Sequence, residues 1–179
     1  MGEVDLATAS FGQNFQVTPL QELCMVSAVA NDGKLVTPHV VREIVDADGN
    51  IQQTMDTQVK RQVISKQISD KMNNYLENVV SQGTGQNAYV AGYRVGGKTA
   101  TSEKQPKSNK KLRIASFIGL APMDDPQYAV LVMVDEPQTD NKGGGAVAAP
   151  VVARIFEDIL PYLGVEAVYS DEEADRQEI

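Results

Sequence analysis

The chain has 179 residues, 42% of them hydrophobic and 22% charged, with a net charge of −8 and a sequence pI near 4.6. That length suffices for one domain with its own core. The negative balance excludes a protein whose main partner is nucleic acid, because phosphate binding needs a positive surface. One cysteine, Cys24, excludes both an internal disulfide and a cysteine zinc cluster. No run reaches the roughly 18 apolar residues that would suggest a membrane span.

The opening residues, "MGEVDLATAS", have neither a basic n-region nor an apolar h-region. In "QVTPLQELCMVSAVANDGK" Thr18 is placed to cap a helix, Pro19 suits its first position and Gln21 can close a capping box. The predicted helix covers about 19–30, with Leu20, Leu23, Cys24 and Ser27 on one stripe and residues 31–33 as the stop. Cys24 lies in the apolar run "LCMVSAVA" and reads as a small buried hydrophobe. "KLVTPHVVREIVDADGNIQQT" reads as short extended segments with a hairpin turn at Asp48-Gly49. His39, the one histidine, has no second ligand at metal-binding spacing, so no metal site is expected.

Ile64, Ile68, Met72, Leu76, Val79 and Val80 recur at helical spacing and predict a helix over about 65–82, ended by Gly83. Three extended stretches follow, at about 93–101, 112–121 and 127–135. Their short polar connections favour an antiparallel meander. "VLVMV", apolar on both faces, suggests a central strand covered on each side. Pro150 opens a last helix, about 150–163, whose apolar face includes Val152, Ile155, Phe156 and Ile159. The expected class is α+β, an antiparallel sheet packed with helices. Residues 1–164 form the domain, and 165–179 read as an acidic tail or linker.

The stretch "YRVGGKTATSEK" carries the chemistry. In a strand, Lys98 and Ala100 point to one face and Thr99 and Thr101 to the other. On an edge strand such a row can take an extended peptide as an added strand and hold a carboxylate or a developing oxyanion. Gly96 and Gly97 allow close backbone approach.

"GGKTATSEK" resembles the Lys-Thr-Gly element of the penicillin-binding proteins and serine β-lactamases. "FGQNFQVTPLQ", "VVSQGTGQNAYVAGYRVGGKT", "IASFIGLAP", "YAVLVMVDEP" and "GGGAVAAPVVARIFEDIL" resemble, in order, segments of the class B penicillin-binding proteins. These are the DD-transpeptidases of bacterial division, elongation and sporulation, and the likeness covers about residues 9–164. It implies the C-terminal part of a transpeptidase domain, in the penicillin-binding protein and β-lactamase type of fold. It also implies a peptidoglycan stem peptide or β-lactam as ligand, no cofactor, and a place on the external face of the cytoplasmic membrane, the anchor lying outside this chain.

By the resemblance, Lys98 organises the proton network around the nucleophile, and the Thr99 and Thr101 hydroxyls hold the carboxylate of substrate or penicillin. The Thr101 N–H matches the oxyanion-hole donor and its C=O the acceptor for the acyl-donor amide. Ala100 stands where the family usually has glycine, and its methyl is expected to press toward the active-site helix.

The nucleophile is missing. None of the 97 residues before Lys98 forms a Ser-x-x-Lys, and no Ser-x-Asn occurs anywhere. Ser108 and Lys111 fit Ser-x-x-Lys literally, but in the polar run "EKQPKSNKKLR" they read as loop residues, because an activated serine needs a fixed base. The chain therefore reads as beginning just past the second motif and as inactive alone, associating with itself or with the missing N-terminal half of the domain. The alternative is a truncated, non-catalytic module that binds cell-wall peptide or a protein partner. A β-lactamase fragment fits less well, since nothing resembles a deacylating carboxylate motif.

Overall fold

A computed structural model describes residues 2–10, 12, 15–104, 112–171 and 173. In chain order its elements are α1 (Glu3–Ala9), α2 (Pro19–Ala30), β1 (Lys34–Val36), β2 (Glu43–Val45), β3 (Ile51–Thr54), β4 (Val59–Gln62) and α3 (Lys66–Ser81). After a single 3₁₀ turn, Gln86–Ala88, come β5 (Gly96–Glu103), β6 (Arg113–Ala121), β7 (Tyr128–Asp135), α4 (Gly144–Val147) and α5 (Ala149–Tyr162).

Local chemistry sets the helix boundaries. The Gln21 amide donates to Thr18 Oγ1 at 3.2 Å, and the Thr18 amide donates to Gln21 Oε1 at 2.8 Å, closing the expected capping box ahead of α2. Beyond α2 the chain reverses through Asp32 (φ 52°) and Gly33 (φ 77°). A Cβ on Gly33 would come within 2.8 Å of the Ile64 carbonyl carbon, so glycine is needed there for space as well as conformation. Ser65 caps α3 by accepting from the Ile68 amide.

β5, β6 and β7 form one antiparallel sheet in that order. Cross-strand rows run Lys98–Ile118–Leu131, Thr99–Phe117–Val132 and Ala100–Ser116–Met133. On one face Phe117 joins Val152, Phe156 and Leu160 of α5 in a core where all four are fully buried. On the other face Leu120 and Met123 meet Leu76 of α3, with Val26 and Val29 of α2 packed alongside. Further along that second face Lys98 and Ala100 are exposed, and Met133 is 42% exposed.

The strand that holds "VLVMV", expected to be central, is not. Among the described residues β6 is central and β7 lies at an edge. Its double apolar character has another cause: Val130, Val132 and Val134 pack toward the α5 core, while Ala129 joins the cluster on the opposite face. The remaining strands form two separate antiparallel pairs, β1 with β4 and β2 with β3. The β2–β3 turn holds the expected Asp48-Gly49, with Gly49 at φ 86° and Asp46 Oδ1 accepting from the amides of Asp48 and Asn50.

Candidate active site

β5 is an edge strand that begins on two glycines, and both are buried. A Cβ on Gly96 would sit 2.5 Å from Met123 Sδ, and one on Gly97 would sit 2.6 Å from Phe117 Cζ. The close approach foreseen at these positions is therefore made by the molecule's own packing behind the strand. α3 lies along β5, with Leu76 in one core cluster and Val80 in the other, so it braces the start of the strand from both sides of the sheet.

From this anchored start the next side chains project in alternation. Lys98 is exposed, and its Nζ folds back to donate to the Thr99 carbonyl at 2.9 Å and to Thr99 Oγ1 at 3.4 Å. Thr99 faces the α5 side, where its Oγ1 lies 3.2 Å from Thr84 Oγ1. Thr101 follows on the same face, and its Oγ1 accepts the Gly144 amide at 3.1 Å. Ala100 is exposed on the Lys98 face, and among the described residues no helix covers it. The Lys98 ammonium thus meets the Thr99 hydroxyl, and the Thr101 hydroxyl lies two residues on against the Gly144 amide, all on a strand that is an edge of the sheet among the described residues. Such a set can hold an anionic group, with the charged donor making the stronger bond.

The residues around this row gave little signal in the sequence. Thr84 stands in the loop after α3, and the glycine run at 143–145 lies in the stretch "GGGAVAAPVVARIFEDIL", whose resemblance gives it no separate role. In the fold that run crosses the sheet beside Thr99 and Thr101. A Cβ on Gly144 would lie 2.6 Å from the Ala100 carbonyl oxygen, and one on Gly145 would lie 3.3 Å from Thr99 Cγ2. Asn87 Nδ2 donates to the Gly145 carbonyl at 2.8 Å and fixes the crossing from the other side. A run of consecutive glycines just ahead of a helix was the available clue to a close backbone crossing.

Ser108 and Lys111 lie outside the described residues. Among the described residues no group of three or more His, Cys, Asp and Glu side chains could hold a metal ion. A second concavity, a cleft of about 420 Å³, opens between the end of α2, the start of α3 and the β6–β7 connection. Its charged groups serve structure: Lys66 bridges Asp32 and Asp70 at 2.8 and 2.9 Å, and Arg94 makes a two-pronged pair with Glu77.

The C-terminal residues return to the loop that leads into β5. The Val168 amide donates to the Gly92 carbonyl, and the Gly92 amide and the Tyr89 hydroxyl both donate to Glu173 Oε1. Those donors, the Tyr89 hydroxyl first and the Ser170 amide next, hold the Glu173 carboxyl down to about 2.

The fold and the row of donors together define a helix-backed sheet with a polar strand, β5, at its edge. The model of the penicillin-binding protein transpeptidase domain matches residues 2–157, and the chain belongs to that family. Stage V sporulation protein D of Bacillus subtilis (strain 168) is 47% identical over 172 residues, an alignment covering 93% of this chain and 26% of that protein. The apo transpeptidase domain of Burkholderia pseudomallei penicillin-binding protein 3 superposes with a TM-score of 0.77 at 35% identity, over 93% of this chain and 49% of that one. Mycobacterium tuberculosis penicillin-binding protein 3, solved with ampicillin, gives a TM-score of 0.77 at 29% identity, over 92% of this chain and 39% of that one. The chain spans about a quarter of the length of the sporulation relative and about half of the Burkholderia domain. It corresponds to part of a penicillin-binding protein transpeptidase domain, with the α+β fold of that family.

Proposed function

We propose that this segment forms one wall of a penicillin-binding DD-transpeptidase site and supplies every catalytic element except the nucleophile and its partners. The observation that carries the reading is the place of Lys98, Thr99 and Thr101 on β5, an edge strand among the described residues, with the Lys98 ammonium against Thr99. Thr99 and Thr101 receive the carboxylate of a stem peptide or a β-lactam through their hydroxyls. The Thr101 N–H faces the oxygen that gains charge as the acyl carbonyl becomes tetrahedral, and its C=O accepts the acyl-donor amide. Donors fixed before the reaction stabilise that charge without reorganising, which is why a rigid strand suits the task. Lys98 lies folded on its own strand, and it swings from there toward a serine supplied by residues outside this chain. Ala100 narrows the same face by one methyl group relative to glycine.

The chain alone does not acylate, because no Ser-x-x-Lys precedes Lys98 and no Ser-x-Asn occurs in the sequence. The exposed stretch of the sheet around Lys98, Ala100 and Met133 is the surface that the earlier half of the domain, or a second copy, covers. The parent protein works on the external face of the bacterial membrane, in sporulation or division. The test is made in the transpeptidase that contains this segment together with its upstream serine. Lys98→Ala and Thr101→Val should each slow acylation by benzylpenicillin at least tenfold, about 1.4 kcal/mol of barrier. Unchanged rates in both variants would remove Lys98 and Thr101 from the site.

A further inference from the structure

Thr84 has no part in the roles assigned to the motif strand, yet its hydroxyl is 3.2 Å from that of Thr99. A hydroxyl has one proton to donate and two lone pairs to accept with. Thr99 Oγ1 already takes one donor, the Lys98 ammonium at 3.4 Å. The Thr84 contact has no fixed direction of its own; if Thr84 donates, the Thr99 proton is not spent on Thr84 and stays available to a ligand, whether or not Lys98 remains in place. Thr101 keeps its proton by another route. Its Oγ1 accepts the Gly144 amide at 3.1 Å, a contact in which Thr101 cannot be the donor. Both hydroxyls would then keep their protons for a ligand, as two donors suited to one carboxylate.

Thr84 is held firmly enough to set such a direction. The next residue, Gly85, is buried, and its amide donates to the Val79 carbonyl at 2.9 Å. A Cβ on Gly85 would stand 3.0 Å from Phe117 Cε2, and Phe117 is the cross-strand partner of Thr99. Thr84 is itself exposed, so its hydroxyl serves no buried core.

We propose that Thr84 is a positioning residue for carboxylate recognition: it donates to Thr99 Oγ1 and so commits the Thr99 proton to the ligand. The inference rests on the transpeptidase reading above. It differs from a structural role in one respect, since it concerns only ligands that carry the carboxylate.

The experiment compares Thr84→Val, which keeps the shape and loses the hydroxyl, with Thr84→Ser, which keeps the hydroxyl. Both are made in the full transpeptidase carrying this segment, and acylation rates are measured with benzylpenicillin and with its methyl ester. Thr84→Val should slow benzylpenicillin about five- to tenfold, the upper part of the range for losing one neutral hydrogen bond. The methyl ester should change less than about twofold, and Thr84→Ser should restore the benzylpenicillin rate to within about threefold, within the same hydrogen-bond range. Equal slowing with both compounds would indicate a general structural effect and overturn the inference. So would an unchanged benzylpenicillin rate in Thr84→Val, or a failure of serine to rescue. If the unsubstituted protein is not acylated at all, the transpeptidase reading falls, and this inference falls with it.

Discussion

Gly144 has space for a hydrogen and little else. A Cβ there meets backbone oxygens of Ala100 and Ser116 on two adjacent strands, and neither strand can move without breaking the sheet. Gly96 is crowded too, but its nearest neighbours are Sδ, Cε and Cγ of the flexible Met123 side chain, which can shift aside. Gly144→Ala should therefore cost more stability than Gly96→Ala, by about 1–3 kcal/mol on the scale of overpacked sites. Thermal denaturation of the two variants decides it, and the reverse order would contradict the packing described. These residues also show where the sequence stopped being informative. "GGK" could be read as a strand start, and alternation alone separated Lys98 from the two threonines. The Thr84–Thr99 and Gly144–Thr101 contacts join residues 15 and 43 positions apart, and no local pattern records such pairs.

At the scale of elements, legibility followed how local the cause was. The α2 start was written in Thr18, Pro19 and Gln21, and the α3 stripe in its spacing, and both appear within a residue or so of the expected bounds. The place of β7 at the sheet edge was not, because apolar residues on both faces report coverage and say nothing of which strands lie beside it. α5 ties the motif sheet to the rest of the fold through Phe156, which has no exposed surface. Phe156→Ala should remove about 3–5 kcal/mol, a large share of a typical domain's stability, measurable as a lower urea midpoint. The C-terminal return contributes in a pH-dependent way. The Glu173 carboxyl lies near 2 in the fold against 4.5 when unperturbed, so its contribution is present above about 4.5 and fades as pH falls toward 2. Hydrogen exchange should show the amides of Gly92 and Ser170 losing protection across that window, since both donate to Glu173. Glu173→Gln should show weakened protection already at neutral pH. Protection independent of pH and of this substitution would show that Glu173 does not hold the segment.

The whole molecule is one part of a larger domain, and its surface reflects that. Among the described residues one face of the sheet is open beyond the α2–α3 cluster, Met133 is partly bare, and Val4 and Leu6 on α1 are largely exposed. Apolar surface of this kind drives association. Sedimentation of the isolated chain should show concentration-dependent self-association, reversed when the upstream half of the domain is supplied. A compact monomer that binds no hydrophobic dye would count against the open face. The family itself was legible from the sequence because its motif strand, its helix starts and their order all lie within this chain, while the nucleophile was legible only as a gap. The central claim, a carboxylate-receiving wall without its serine, is tested most directly by incubating this polypeptide alone with fluorescent penicillin and denaturing it. No labelled band is expected from this chain, beside clear labelling of the complete transpeptidase. A covalent adduct on the isolated chain that survives denaturation would contradict the claim.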